Sequence, residues 1–66
     1  MKININGKEK EFNGGSSLNQ IIHETCCNSN RVIAELNGAI IKQPFWGKTS
    51  LKDGDRLELV SFVGGG

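Results

Sequence analysis

Charge of one sign is what this sequence most plainly lacks. Eight Lys and Arg stand against seven Asp and Glu, a formal net charge of +1. That balance argues against a nucleic-acid binder working through bulk charge, because such domains carry a basic stripe that neutralises phosphates. Long hydrophobic runs are lacking too. No stretch approaches the ~20 apolar residues of a membrane-spanning helix, and no basic-then-apolar leader opens the chain. A cytoplasmic protein that binds neither nucleic acid nor membrane is expected. Histidine occurs once, as His23, and cysteine twice, as the neighbours Cys26 and Cys27. Adjacent cysteines bridge only through a strained ring, so no disulfide staple is expected, and folding by the core alone fits a reducing compartment. The plain reading of the pair is one thiol facing the core at a helix end and the other facing solvent. With one imidazole and no C-x-x-C pair, zinc and iron–sulfur sites lack ligands. No metal and no bound cofactor are expected. His23 has no acid or nucleophile at a telling spacing, so the chain is not expected to be an enzyme by itself.

Length limits the chain further. Domains below about 70–80 residues seldom gain more than a few kcal/mol from their core, and this one has 66 residues. A deep active site walled by two lobes is excluded. What the sequence has in excess is glycine. Nine residues are glycine, about twice the share usual in proteins, and three of them are Gly64, Gly65 and Gly66.

The other six glycines punctuate the chain. Asn6-Gly7 is a hairpin signal, because a type I′ turn needs positive φ at both central residues. Before it Ile3 and Ile5 alternate with polar residues. After it Lys8-Glu9-Lys10-Glu11 reads as a charged edge strand that discourages further pairing. Gly14-Gly15 breaks the pattern. Ser17 and Gln20 then have capping-box spacing, and Leu18, Ile21, Ile22 and Thr25 form the stripe of an amphipathic helix over residues 18–27. Asn19, His23 and Glu24 fall on its wet side. Val32, Ala34 and Leu36 alternate with Arg31, Ile33 and Glu35. Asn37-Gly38 repeats the hairpin signal, and Ala39-Ile40-Ile41-Lys42 returns the strand. Pro44 ends it. Phe45-Trp46-Gly47 is expected to form a helical turn that lids the core, with both aromatics in that core and Leu51 behind them. Asp53-Gly54 is the last internal turn, and residues 55–63 form the longest strand. Leu57, Leu59 and Ser61 point one way along it, and Glu58, Val60 and Phe62 the other.

This order is ββ-α-ββ-turn-β. The last strand has no hairpin neighbour, so it is expected to insert beside the first and parallel to it, through a right-handed crossover that carries the helix. The fold class is α+β: a ubiquitin-like β-grasp, a four- to five-stranded mixed sheet with one helix on one face. The expected core is Ile3, Ile5, Leu18, Ile21, Ile22, Val32, Ala34, Leu36, Leu57 and Leu59. Residues 1–63 make the domain and residues 64–66 a flexible glycine tail.

A glycine tail has an ordinary explanation, a flexible end. Here the final strand is expected to lead straight into the glycines, with Gly66 expected to carry the α-carboxylate. Such a carboxylate is a poor electrophile until it is activated, for instance as an acyl-adenylate. Residues without Cβ can thread a narrow channel that branched residues block, and residues 63–66 extend for about 13 Å. That reach delivers the carboxylate into another protein's active site.

The β-grasp order, Leu-Asn-Gly at 36–38, Leu-Lys-Asp-Gly-Asp at 51–55 and the ending Phe-Val-Gly-Gly-Gly resemble the sulfur carrier proteins of thiamine biosynthesis, the ThiS family. The likeness covers the whole chain. It implies that a ThiF-type adenylating enzyme, using ATP and magnesium that the carrier itself does not hold, converts the Gly66 carboxylate to acyl-AMP. Sulfur from a cysteine desulfurase or another donor then replaces AMP to give a thiocarboxylate. A thiazole synthase takes that sulfur. Gly65 and Gly66 carry over as the functional tail, and the carrier alone is expected to be a monomer.

The sheet face not covered by the helix is expected to carry Ile33, Glu58, Val60 and Phe62. Apolar residues clustered there, flanking Val63, Gly64 and the tail, read as a partner-binding surface. Ordinary scattered surface apolarity is the plainer alternative. Three rival functions share the fold. The small subunit of molybdopterin synthase has the same terminal chemistry but is usually longer. Other carriers feed sulfur to transfer RNA or to cysteine synthesis. A ubiquitin-type modifier forms isopeptide bonds through its terminal glycine. An RNA-binding β-grasp domain lacks support from charge and aromatics, and a ferredoxin lacks its four ligands.

Overall fold

The computed structural model describes residues 1–25 and 29–61. Strands β1 (Lys2–Ile5) and β2 (Lys8–Glu11) pair antiparallel, from Lys2 opposite Glu11 to Ile5 opposite Lys8. Asn6 and Gly7 between them hold φ of +50° and +85°, the left-handed pair that matches hairpin twist. Ile3 and Ile5 turn inward and are buried. All four residues of β2 are exposed, so this sheet edge presents alternating Lys and Glu.

The capping box forms as its spacing predicts. Gln20 N donates to Ser17 Oγ at 3.2 Å, and Ser17 N donates to Gln20 Oε1 at 2.9 Å, so two donors at the helix start are satisfied reciprocally. Helix α1 runs Leu18–Thr25. Leu18, Ile21 and Ile22 are fully buried. Its expected continuation through Cys26 and Cys27, and the division of those thiols between core and solvent, lie outside the described residues. Asn19 is half-buried rather than wet. The exposed His23 donates from Nδ1 to the Asn19 carbonyl at 2.7 Å.

A short 3-10 helix (Ser29–Arg31) leads into β3 (Val32–Leu36), which pairs antiparallel with β4 (Ala39–Ile41) across the Asn37-Gly38 turn. A second 3-10 helix, Gln43–Lys48, begins with Pro44 in its first turn, where a missing N–H costs nothing. Trp46 is 2% exposed, and its Nε1 donates to the Ile41 carbonyl at 2.8 Å. Leu51 is buried beside it in the same cluster. Phe45 departs from expectation, being 55% exposed rather than in the core. With three residues per turn, neighbours on a 3-10 helix point about 120° apart, so seating Trp46 inward turns Phe45 out. The segment after this helix returns to the start of α1, where Leu18 N donates to the Thr49 carbonyl at 2.8 Å.

Strand β5 (Arg56–Ser61) inserts at the centre. It runs parallel to β1, with Ile5 opposite Leu57, and antiparallel to β3, from Val32 opposite Ser61 to Leu36 opposite Leu57. The sheet order is β2-β1-β5-β3-β4. This mixed five-stranded sheet with one helix is the β-grasp arrangement. The core comprises Ile3, Ile5, Leu18, Ile21, Ile22, Val32, Ala34, Leu57 and Leu59, joined by Trp46 and Leu51. Leu36, expected within it, is the last residue of β3 and only half-buried at the turn. Ser61, expected to face inward with Leu57 and Leu59, is exposed at the end of β5. Asp55 precedes β5 rather than opening it. Among the described residues, no helix is long and apolar enough to cross a membrane.

Candidate functional site

The candidate site is the central strand that precedes the glycines in sequence, together with the sheet face around it. The start of β5 is fixed by side chains from two turns. Lys2 N donates to Asp53 Oδ1 at 2.6 Å, and Gly54 N donates to the Lys2 carbonyl at 2.8 Å. Gly54 sits at φ +90°, where a side chain is strained. The buried Asp55 carboxylate accepts from Lys52 N at 2.7 Å and from Asn37 Nδ2 at 3.1 Å. Asn37 Oδ1 accepts from Arg56 N at 2.9 Å. A buried carboxylate is tolerable because both oxygens have partners.

The other end of β5 is held from the first hairpin. Asn6 N donates to the Leu57 carbonyl at 3.0 Å. The Asn6 side chain then takes both main-chain groups of Leu59: Leu59 N donates to Oδ1 at 2.8 Å, and Nδ2 donates to the Leu59 carbonyl at 3.1 Å. The amide acts as one more peptide unit of the ladder after β1 has turned away. Both asparagines of the two Asn-Gly turns thus bond to β5. Their local sequence signals only a turn, because their partners lie 53 residues (Asn6) and 19 residues (Asn37) along the chain.

Alternation along β5 buries Leu57 and Leu59 and leaves Glu58 and Val60 exposed on the face away from α1. Of the expected surface residues, the register brings Ile33, Glu58 and Val60 onto one face. Ile33 lies directly opposite Val60, and Glu35 directly opposite Glu58. Such partners have Cβ atoms about 4.5–5.5 Å apart. Ile33 is 44% exposed and Val60 56%. Ile40, to which no sequence pattern points, is 65% exposed and pairs with Glu35 on the same face. Ala39-Ile40-Ile41 has no alternation from which its direction follows. The face therefore carries an apolar pair, Ile33 and Val60, beside a row of Ile40, Glu35 and Glu58. Phe62, Val63, Gly64, Gly65 and Gly66 lie outside the described residues. Among the described residues no three His, Cys, Asp or Glu side chains gather into a metal site.

Comparison with known proteins bears on this arrangement. The ThiS family model matches residues 3–66. The crystal structure of the thiamine biosynthesis protein ThiS from Geobacter metallireducens is similar with a TM-score of 0.84 and 29% identity, covering 100% of both chains. A thiazole synthase of Paramagnetospirillum magneticum is 35% identical over 66 residues, and this chain spans 20% of that relative's length. The uncharacterized protein ycf40 of Pyropia yezoensis is also 35% identical over 66 residues, 93% of its length.

Proposed function

The chain belongs to the ThiS family, and from that premise we propose that it is a sulfur carrier of thiamine biosynthesis. The observation that carries the reading is a family match running from residue 3 through the glycines to residue 66 on a β-grasp fold. In this account the Gly66 carboxylate is the working group. One of its oxygens attacks the α-phosphorus of ATP in a partner adenylating enzyme of the ThiF type, and pyrophosphate leaves. The resulting acyl-adenylate is attacked by hydrosulfide, released by a thiol reductant from a desulfurase-derived persulfide or supplied by another donor. AMP leaves, and a thiocarboxylate remains. ATP and magnesium belong to the partner enzyme, and the carrier is its substrate rather than an enzyme. A thiazole synthase is the acceptor of the sulfur. That choice draws support from the thiazole synthase relative, which contains a stretch similar to this chain within its longer sequence. The setting is the cytoplasm, and the carrier is a monomer between encounters.

The geometry suits such a role. In this account residues 1–63 serve as the handle and residues 64–66 as the tail. Glycines at 64–66 present no Cβ to a narrow channel, and the five residues after Ser61 can extend about 17 Å. Ile33, Val60 and Phe62 supply apolar contact to the partner beside Val63 and Gly64, and Glu58, facing Glu35, offers a negative rim to a cationic partner group. The test is release of pyrophosphate from ATP by the adenylating enzyme as a function of added carrier. Release that depends on the chain and disappears when Gly66 is deleted supports the reading. Release that is indifferent to Gly66 refutes it.

A further inference from the structure

We infer that Asn13, in the loop between β2 and α1, is a site of spontaneous deamidation in the folded chain, and that side-chain bonding to β5 and its approach shields the other two Asn-Gly pairs from the same reaction. The sequence holds three such pairs, Asn6-Gly7, Asn13-Gly14 and Asn37-Gly38, and the same chemistry is open to each. The main-chain nitrogen of the glycine gives its proton to hydroxide and attacks the asparagine Cγ. An N–Cγ bond forms, the bond from Cγ to the side-chain nitrogen breaks, and that nitrogen takes a proton from water and leaves as ammonia. Water then opens the succinimide at either carbonyl, yielding aspartate or isoaspartate. Glycine favours the attack because it sets no Cβ against the approaching side chain.

What separates the three pairs is the hold on the amide. All three asparagines are exposed, so exposure does not decide. The Asn6 amide is bonded on both sides to the main chain of Leu59, at 2.8 and 3.1 Å. The nitrogen that would attack it, Gly7 N, donates to Asn4 Oδ1 at 3.0 Å. The Asn37 amide accepts from Arg56 N at 2.9 Å and donates to the buried Asp55 carboxylate at 3.1 Å. To cyclise, either side chain must leave both partners and swing back onto its own main chain. Asn13 carries no such restraint. Among the described residues nothing bonds its side-chain amide or Gly14 N. Only its main-chain carbonyl is held, by Ser16 N at 3.2 Å and Ser16 Oγ at 2.8 Å, and those bonds leave the side chain free to rotate. The product places a new carboxylate in a cleft already lined by Glu11 and Glu24. Isoaspartate also lengthens the main chain by a methylene just before Ser16 and turns the carbonyl that holds Ser16 into a side carboxylate. The loop that enters the capping box is thereby loosened.

The test keeps the whole chain folded in neutral buffer and samples it over time. Cleavage after Lys and Arg places Asn6, Asn13 and Asn37 on separate peptides, ending at Lys8, Arg31 and Lys42. Mass spectrometry with fragmentation reads the exchange of amide for carboxylate at each site, and chromatography separates the aspartate and isoaspartate forms. Asn13 is expected to convert about tenfold or more faster than Asn6 and Asn37, as two hydrogen bonds on each of the latter imply. In urea the three rates converge. Gly14→Ala slows conversion at Asn13 and leaves the thermal melt unchanged, since the added Cβ meets nothing within 4 Å. The separated isoaspartate form melts below Asn13→Asp, which brings the charge without the methylene. An Asn13 that stays intact overturns the site, and folded-state conversion at Asn6 or Asn37 as fast as at Asn13 overturns the shielding. A rate at Asn13 indifferent to Gly14→Ala overturns attack by the main chain, and equal melts overturn the loosening of the loop.

Discussion

Val60→Asp separates docking from folding. Val60 is 56% exposed in the free chain, so the substitution forfeits less than half of the ~1.5–3 kcal/mol that full burial of such a side chain contributes. Strand propensity adds a loss within a scale that spans about 1 kcal/mol. The folded state therefore survives with a stability lower by about 1–2 kcal/mol, a fall in Tm of roughly 4–16 °C for a domain of this size. Docking suffers more. The new carboxylate stands opposite Ile33 and next in line to Glu58, which already faces Glu35. Burying it in the apolar contact that receives Ile33 and Val60, rather than at the rim where Glu58 meets a cationic group, costs several kcal/mol. Taking about 2.8 kcal/mol as a working figure, the KM for carrier in adenylation rises roughly a hundredfold. The assay is steady-state pyrophosphate release against carrier concentration, beside a thermal melt followed by circular dichroism. Ile40→Asp, on the same face but diagonal to the Ile33–Val60 pair, raises KM less. A folded Val60→Asp variant with the original KM would remove this face from the docking account.

Three further outcomes follow from other parts of the molecule. Trp46→Ala removes the largest fully buried side chain and its bond to the Ile41 carbonyl, a loss of about 3–5 kcal/mol, so the chain is expected to be largely unfolded at 37 °C by circular dichroism. Ser17→Ala breaks the capping box at a cost of about 1 kcal/mol, visible as a lower urea midpoint with adenylation kinetics unchanged at 25 °C. Gly65→Val places a branched side chain in the tail and leaves the core residues untouched, so the melt is unchanged while adenylation is lost; full adenylation of this variant would contradict a narrow channel.

Much of the fold is legible because its signals are local. Two Asn-Gly pairs, a Ser17–Gln20 capping pair and an i, i+3, i+4 stripe each specify their own geometry within a few residues. The parallel insertion of the last strand follows from elimination, since no turn remained to pair it with a neighbour. What escaped was set by long-range pairing. Whether Ile40 faces the helix or solvent depends on its register with Glu35, and a run of Ala and Ile carries no alternation to fix it. Phe45 and Trp46 are adjacent and equally apolar, and only the docking of the 3-10 helix decides which is buried. Asp55 reads as the first residue of a strand, whereas it holds Lys52 and Asn37 from a buried position. The tail's chemistry is read from sequence and family likeness, and the exposed sheet face from register.

The central claim is that sulfur is carried on Gly66. Intact mass of the chain is measured after incubation with the adenylating enzyme, ATP, magnesium and a sulfur source, and the modified species is then fragmented. Replacing one carboxylate oxygen with sulfur adds nearly the mass of one oxidation, so the site decides the matter. The account predicts the added mass on Gly66, and none in a chain lacking that residue. The same mass found on Met1, Cys26 or Cys27, or a Gly66 recovered only in isopeptide linkage to lysine, would contradict it.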